Sequence, residues 1–173
     1  VPLRAILERA RLKPGVIDVS FGAADGYTES ISLSRALSDE VMVAYMMNDA
    51  PLPESHGFPA RLLVPPLYGY KSVKWLTRIE AVDFDFKGFW EHRGRTDHPV
   101  IKTMSKFVRP DSGSVLPEAP VVLAGVAFSG DRGIAHVEVS SDGGRTWTPA
   151  QRISRPLSPY TWVNWEASFA PQV

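Results

Sequence analysis

Cysteine is absent from the 173 residues. That removes disulfides, zinc–thiolate and iron–sulfur sites and a thiol nucleophile from the chemistry this chain supplies. An excess of charge of either sign is absent too, with 19 Lys and Arg against 19 Asp and Glu. A balanced chain exerts no long-range pull on nucleic acid or anionic membrane, so no nucleic-acid partner is expected. Long apolar runs are missing: the longest, residues 41–47, is far short of the roughly 20 that a spanning helix needs. Neither a P-loop nor a GxGxxG motif occurs, and His56, His92, His98 and His136 lack i, i+4 zinc spacing. No metal-ligating set is expected. The chain opens at Val1-Pro2-Leu3 without Met, as if entering a helix already under way. It is expected to be a piece of a longer or processed protein, and its localisation is left open between bacterial periplasm and cytoplasm.

What is present is an ordinary globular composition, 44% hydrophobic and 22% charged. Proline is the exception. Fifteen residues of 173 are proline, close to twice the usual share of about 5%. Scattered along the chain, they favour many short elements over long helices. Leu3, Ile6, Leu7 and Ala10 follow the i, i+3, i+4, i+7 spacing of an amphipathic helix that Lys13-Pro14-Gly15 ends. Ile17, Val19 and Phe21 alternate with polar residues, which predicts a half-buried strand, and Asp25-Gly26 reads as a turn. Residues 33–37 read as one helical turn. Residues 41–47 form a buried strand or helix segment that periodicity does not resolve. Asn48-Asp49-Ala50-Pro51 is a turn, and residues 61–64 form a short apolar strand.

The texture changes after about residue 105. Val122, Ala124 and Val126 alternate with their neighbours, and His136, Glu138 and Ser140 alternate with Val137 and Val139. Asp142-Gly143-Gly144, which sits between two β-rich runs, is a hairpin signal, because glycine tolerates φ > 0. The expected fold class is α+β. Residues 1–108 form a mixed partial domain, residues 109–120, rich in Pro, Ser and Gly, form a linker, and residues 121–173 begin a β-sandwich. Trp147, Trp162 and Trp165 are expected in sandwich packing.

The richest chemistry lies in Glu54-Ser55-His56-Gly57-Phe58-Pro59-Ala60-Arg61. A His and an Arg bracket a Gly-Phe-Pro turn that would hold both donors at fixed separation. Ten residues on, Gly69-Tyr70-Lys71-Ser72-Val73-Lys74-Trp75 adds two ammonium groups, a hydroxyl and unhindered amides. Arg forking onto two oxygens, Lys as point charge and backbone N–H groups together make a phosphate cradle. The plainer alternative is a surface His beside a solvated basic loop.

The order of Asp25-Gly26-Tyr27, Val43-Ala44-Tyr45-Met46-Met47-Asn48, Leu52-Pro53, His56-Gly57-Phe58-Pro59, Arg61, Val64-Pro65 and Val73-Lys74-Trp75-Leu76 resembles the sulfite oxidase family of molybdenum enzymes. The likeness runs from residue 1 to residue 147 and is most specific over residues 48–76. It implies the second half of a molybdopterin-binding domain, then the first part of an immunoglobulin-like dimerisation domain, hence a homodimer. It implies the molybdenum cofactor, oxygen-atom transfer on a small oxyanion, and electrons passed to a separate acceptor protein or haem domain. Asp25 then matches the acidic residue that contacts the cofactor, His56 and Arg61 the pair beside the pterin and its phosphate, and Ser72, Val73 and Lys74 the segment that closes over it, with Lys71 beside them.

Two departures from the family pattern stand out. The family's molybdenum ligand is a cysteine that precedes the point matched by Val1, so no ligand for the metal is expected in this chain, which alone is expected to be inactive. Gly88-Phe89-Trp90-Glu91-His92-Arg93-Gly94-Arg95 matches the stretch where sulfite oxidases carry an active-site tyrosine, and Arg95 falls at that place. Arg95 and Arg93 are the candidate catalytic residues, the alternative being an exposed basic loop. A substrate other than sulfite, an oxidised sulfur or nitrogen compound, stays open. Trp75 and Trp90 are candidate pocket walls. Two rivals from other classes are a non-catalytic β-sandwich interaction module and a sialidase-like protein. The second rests on Ser140-x-Asp142-x-Gly144-x-Thr146-Trp147, one Asp-box where a propeller needs several blades.

Overall fold

The structure, a computed structural model, describes residues 1–170. They divide into two compact units, one over Val1–Val100 and one from Ile101 onward. No helix among the described residues is long and apolar enough to cross a membrane.

The first unit runs α1 (Leu3–Ala10), β1 (Asp18–Ala23), β2 (Thr28–Ser32), α2 (Leu33–Ala36), β3 (Met42–Ala44), β4 (Met46–Met47), β5 (Ala50–Pro51), β6 (Arg61–Leu63) and β7 (Leu76–Val82). Pro2 leads into α1, where its missing N–H costs no hydrogen bond. Arg11, in the left-handed region at φ 57, ends the helix by donating its N–H to the Glu8 carbonyl. Leu3 and Leu7 are buried, while Ile6 is half-buried and Ala10 exposed, so the apolar stripe is narrower than the spacing implies. Ser32 caps α2 by accepting the Arg35 N–H.

β1 is the centre of a three-stranded antiparallel sheet in the order β2-β1-β7. Val19 and Phe21 point into the core. Ile17, expected on the same face, lies outside the strand and is 51% exposed. The segment 41–47 is neither a single strand nor a helix. Val41 alone is buried, and the chain then splits into β3, paired with β6, and β4, paired with β5 across Asn48 and Asp49. Both turn residues have positive φ, 52 and 62, the mirror-image turn that tight hairpins favour. Leu3, Leu7, Val19, Phe21, Ile31, Val41, Leu62, Val64 and Val73 form the core.

The second unit runs β8 (Met104–Arg109), β9 (Val121–Phe128), β10 (Glu138–Val139), β11 (Thr148–Pro149), β12 (Gln151–Arg152) and β13 (Val163–Phe169). Its main sheet has the order β12-β13-β9-β8, and β10 pairs with β11. Leu123, Ala127, Val163 and Trp165 form the core, with Val137, Val139 and Ala150 packed on it, so two sheets share one apolar layer. The expected boundary at residues 109–120 is corrected. Met104–Arg109 is an edge strand hydrogen-bonded to β9, so the division falls near residue 100 and residues 110–120 are a loop inside the second unit. Two tryptophans also depart from expectation. Trp165 is buried, but Trp162 is half-exposed and stacked on Phe128, and Trp147 is 57% exposed with its Nε1 donating to the Gly144 carbonyl.

Trp147 stays out because the turn before it is closed by polar bonds of its own. Asp142 Oδ1 accepts from the amides of Arg145 and Thr146, both at 2.9 Å. Its Oδ2 accepts the Thr146 hydroxyl at 2.6 Å, and the Gly144 amide donates to Ser140 Oγ at 2.8 Å. The Thr146 and Ser140 bonds hold the Asp142 carboxyl well below the usual carboxylate range.

Candidate functional site

Glu54–His56 is a single 3-10 turn, ended by Gly57 at φ 109. Its carbonyls receive three side chains from later in the chain. Arg61 Nη1 donates to the His56 carbonyl at 3.1 Å, Lys74 Nζ to that of Ser55 at 3.2 Å, and Trp75 Nε1 to that of Glu54 at 2.9 Å. Gly57 is buried beneath them. A Cβ at Gly57 would lie 3.1 Å from the Cβ atoms of both Arg61 and Lys74, so φ and close packing alike call for glycine.

The backbone sets this convergence. β6 carries Arg61, and the Leu62 N–H donates to the Val73 carbonyl while the Leu76 N–H donates to that of Ala60. Residues 60–62 and 73–76 therefore run side by side and bring Arg61 and Lys74 onto the same turn. Ser72 Oγ accepts the Val64 N–H at 3.1 Å, and its own hydrogen stays available to donate. The Val73 side chain is buried in the core, so it braces the segment rather than facing outward. Asp25 is exposed in the β1–β2 turn, where its Oδ1 accepts the Tyr27 N–H. The neighbouring Ala24 N–H donates to the Trp75 carbonyl at 2.9 Å, which joins that turn to the residue after Lys74. A bulge between Gly22 and Ala23 re-aims β1 beside it.

Cations in this cluster lack anions. Among the described residues neither Arg61 nor Lys74 forms an ion pair; Lys74 Nζ instead sits 4.4 Å from the Trp75 ring centroid. Arg61 Nε is buried without an acceptor, and burial lowers the Arg61 pKa from its ordinary value. A buried, unanswered guanidinium donor costs on the order of 1–3 kcal/mol, which an anion would relieve.

Arg93 and Arg95 belong to a different cluster. Arg93 Nη1 donates to the Phe89 carbonyl at 2.8 Å, with its guanidinium 3.5 Å from the Phe89 ring centroid. Arg95 lies 4.4 Å from the Trp90 ring centroid and 5.4 Å from that of Tyr70. Both arginines are exposed, and among the described residues neither pairs with a carboxylate. No hydrogen bond or ring contact among the described residues joins them to His56, Arg61 or Lys74.

Lys71 is placed differently from the basic surface that its sequence context suggests. It is 1% exposed, and its ammonium donates to Glu29 Oε1 at 2.8 Å, the Ser30 carbonyl at 3.0 Å and Glu91 Oε1 at 2.6 Å. All three of its donors are taken, so it has none to offer a cofactor. Glu29 is wholly buried and also accepts the Ser30 N–H and the Tyr27 hydroxyl. Burial pushes the Glu29 carboxyl up to about 7, against the pull of Lys71. Burial is the largest single influence on Lys71 and Glu91 as well and opposes both charges. It is outweighed by the hydrogen bonds and charges of the cluster taken together, those of Glu29 and Glu91 raising the Lys71 pKa and those of Lys71 and Glu29 lowering that of Glu91. Glu29 and Glu91 escape a sequence reading. They stand 42 and 20 residues from Lys71, and no local pattern marks them.

Comparison with known proteins identifies the domains. Residues 1–90 match the family of oxidoreductase molybdopterin binding domains, and residues 100–170 match the Mo-co oxidoreductase dimerisation domain. Mitochondrial sulfite oxidase of Homo sapiens is 36% identical over 163 residues, covering 81% of this chain and 30% of that protein. Sulfite oxidase of Gallus gallus is 35% identical, covering 87% and 38%. A nitrate reductase [NADH] of Phaseolus vulgaris is 30% identical, covering 85% and 21%. The crystal structure of the sulfane dehydrogenase SoxCD from Paracoccus pantotrophus superposes with a TM-score of 0.84 at 28% identity, over 98% of this chain and 47% of that one. This chain thus spans less than half the length of each. Gly57 packed under Arg61 and Lys74, which form no ion pair among the described residues, and the unanswered Arg61 Nε suit an anionic group. By sequence match and fold, this chain belongs to the sulfite oxidase family of molybdopterin oxidoreductases.

Proposed function

We propose that this chain supplies the pterin-phosphate side of the molybdenum cofactor site in an enzyme that transfers an oxygen atom to or from a small oxyanion. The observation that carries the reading is the convergence of Arg61 and Lys74, both without acidic partners, on the turn that ends at His56. Arg61 and Lys74 neutralise the phosphate, and the Ser72 hydroxyl donates to it. Asp25 accepts from the amino edge of the pterin, and His56 orients the ring. Val73 holds Ser72 and Lys74 in place through the core. When bound, the cofactor supplies a molybdenum centre that exchanges oxygen and passes electrons to a separate acceptor. The chain has no cysteine to grip that metal; the soft ligand comes from outside these residues. The match to a dimerisation domain supports a homodimer.

Arg95 favours a second reading within the same chemistry. Stacked on Trp90 and Tyr70 and unpaired, it suits attraction of an oxyanion but has no phenol to offer. Similarity to a sulfane dehydrogenase and to a nitrate reductase keeps other sulfur compounds and nitrogen oxides in view. Assays of the full-length protein with sulfite and with methionine sulfoxide separate the two. The cofactor reading itself is tested by changing Arg61 and Lys74 to Ala in the full-length protein. Bound pterin and molybdenum are expected to fall together, and unchanged contents would reject it.

A further inference from the structure

We propose that Lys71, clamped between Glu29 and Glu91, is a positioning residue that sets the arginine loop at residues 89–95 against the phosphate-facing segment at residues 72–75. The inference rests on the cofactor reading only for the role of that segment.

The 3-10 turn Gly69–Lys71 runs directly into Ser72. Its last side chain turns inward, and its neighbour Tyr70 turns outward. Inward, Lys71 reaches Glu91, the first residue of the 3-10 turn Glu91–Arg93, at 2.6 Å. Glu91 Oε2 in turn accepts the Gly88 N–H at 3.0 Å, which closes the base of the loop. Outward, the Tyr70 ring lies under Arg95, and its hydroxyl donates to the Thr96 carbonyl at 2.9 Å. One turn thus grips the arginine loop on two sides and passes straight to the cofactor segment.

The clamp has little slack. A Cβ at Gly88 would lie 2.8 Å from Glu29 Cα, Glu29 Oε1 and Glu91 Oε2, so no side chain fits between the loop and β2. Tyr27 seals the other flank, its hydroxyl 3.1 Å from Glu29 Oε2 and 2.7 Å from the Tyr70 carbonyl. The titratable groups facing Glu29 are therefore Tyr27, Tyr70, Lys71 and Glu91. Two buried carboxylates around one ammonium carry a surplus negative charge unless a proton stays in the cluster, and Glu29 is the carboxyl that burial makes the readier to hold one. Loss of that proton leaves a net buried charge, and its repulsion falls on Glu91, the residue that ties the arginine loop to Lys71.

The test is hydrogen exchange by mass spectrometry on the full-length, cofactor-loaded protein. Lys71→Met is expected to speed amide exchange in residues 72–75 and 89–95 together. Glu91→Gln is expected to speed it in residues 89–95 alone, by about tenfold for one weakened charged hydrogen bond, with bound pterin unchanged. In the unaltered protein, exchange at residues 89–95, corrected for intrinsic rate, is expected to rise as the pH passes neutrality, and Glu29→Gln is expected to remove that rise. Faster exchange spread evenly over Val1–Val100, or no change at residues 89–95 in Glu91→Gln, would overturn the proposal. If Lys71→Met does not fold, Glu91→Gln and the pH profile decide alone. Loss of pterin from Arg61→Ala is a separate result, so the clamp and the cofactor reading fail independently.

Discussion

Two polar networks, one in each unit, are built on opposite plans. In the first unit Lys71, Glu29 and Glu91 meet out of water, drawn from three separate elements. In the second unit Asp142 gathers its partners from within four residues on an exposed turn. The buried network joins distant parts of the chain and depends on every member. The exposed one shapes a single hairpin and leans on water for the rest. Position in the fold, more than the number of hydrogen bonds, decides what each network does.

Lys71→Met offers the largest test of that contrast. It removes the counter-charge from two buried carboxylates, a change expected to cost about 3–5 kcal/mol, read by denaturant unfolding of the full-length protein. A cost as small as that of a surface substitution would end the distinction. The pH dependence of stability sharpens it. Glu29 is raised from an ordinary carboxylate value to about 7 when folded. Its contribution is therefore fully present below the ordinary carboxylate value and is lost as pH rises toward about 7. Unfolding at a series of pH values should show that decline, and Glu29→Gln should flatten it. The smallest effect is expected at Asp142. Its carboxyl is depressed by hydrogen bonds from Thr146 and Ser140. Stability from Asp142 is present above the ordinary carboxylate range and is lost only in stronger acid. Asp142→Ala should shift the thermal midpoint least of the three and leave the neutral-pH profile of the first unit unchanged.

Local elements and the convergence of Arg61 and Lys74 on the turn at His56 were legible in the sequence, while long-range polar contacts were not. Leu3 and Leu7 declare a helix face by their spacing, and Asn48-Asp49 and Gly143-Gly144 declare turns by their tolerance of positive φ. His56, Arg61 and Lys74 were readable as a group because a Gly-Phe-Pro turn and a nearby basic segment are close in sequence as well as in space. Lys71 was not, since nothing beside it in sequence distinguishes a buried ammonium from a solvated one. Met104–Arg109 was missed as part of the second unit. Every residue of that strand is exposed, and an edge strand without a buried face leaves little apolar alternation to read. Trp147 misled by size, for a large aromatic ring suggests a core even where a self-bonded turn holds it at the surface.

Trp75 sits in the left-handed region at φ 51, a conformation that a bulky side chain adopts at a cost of about 1–2 kcal/mol. Its carbonyl anchors Ala24 and its indole anchors Glu54, so the unfavourable backbone is held from both ends. An engineer seeking heat resistance would be drawn to this position, because glycine would relax the chain there. The same exchange would cut the indole tether to the turn under Arg61 and Lys74. Backbone ease and the anchoring of that turn are thus set against each other at one residue.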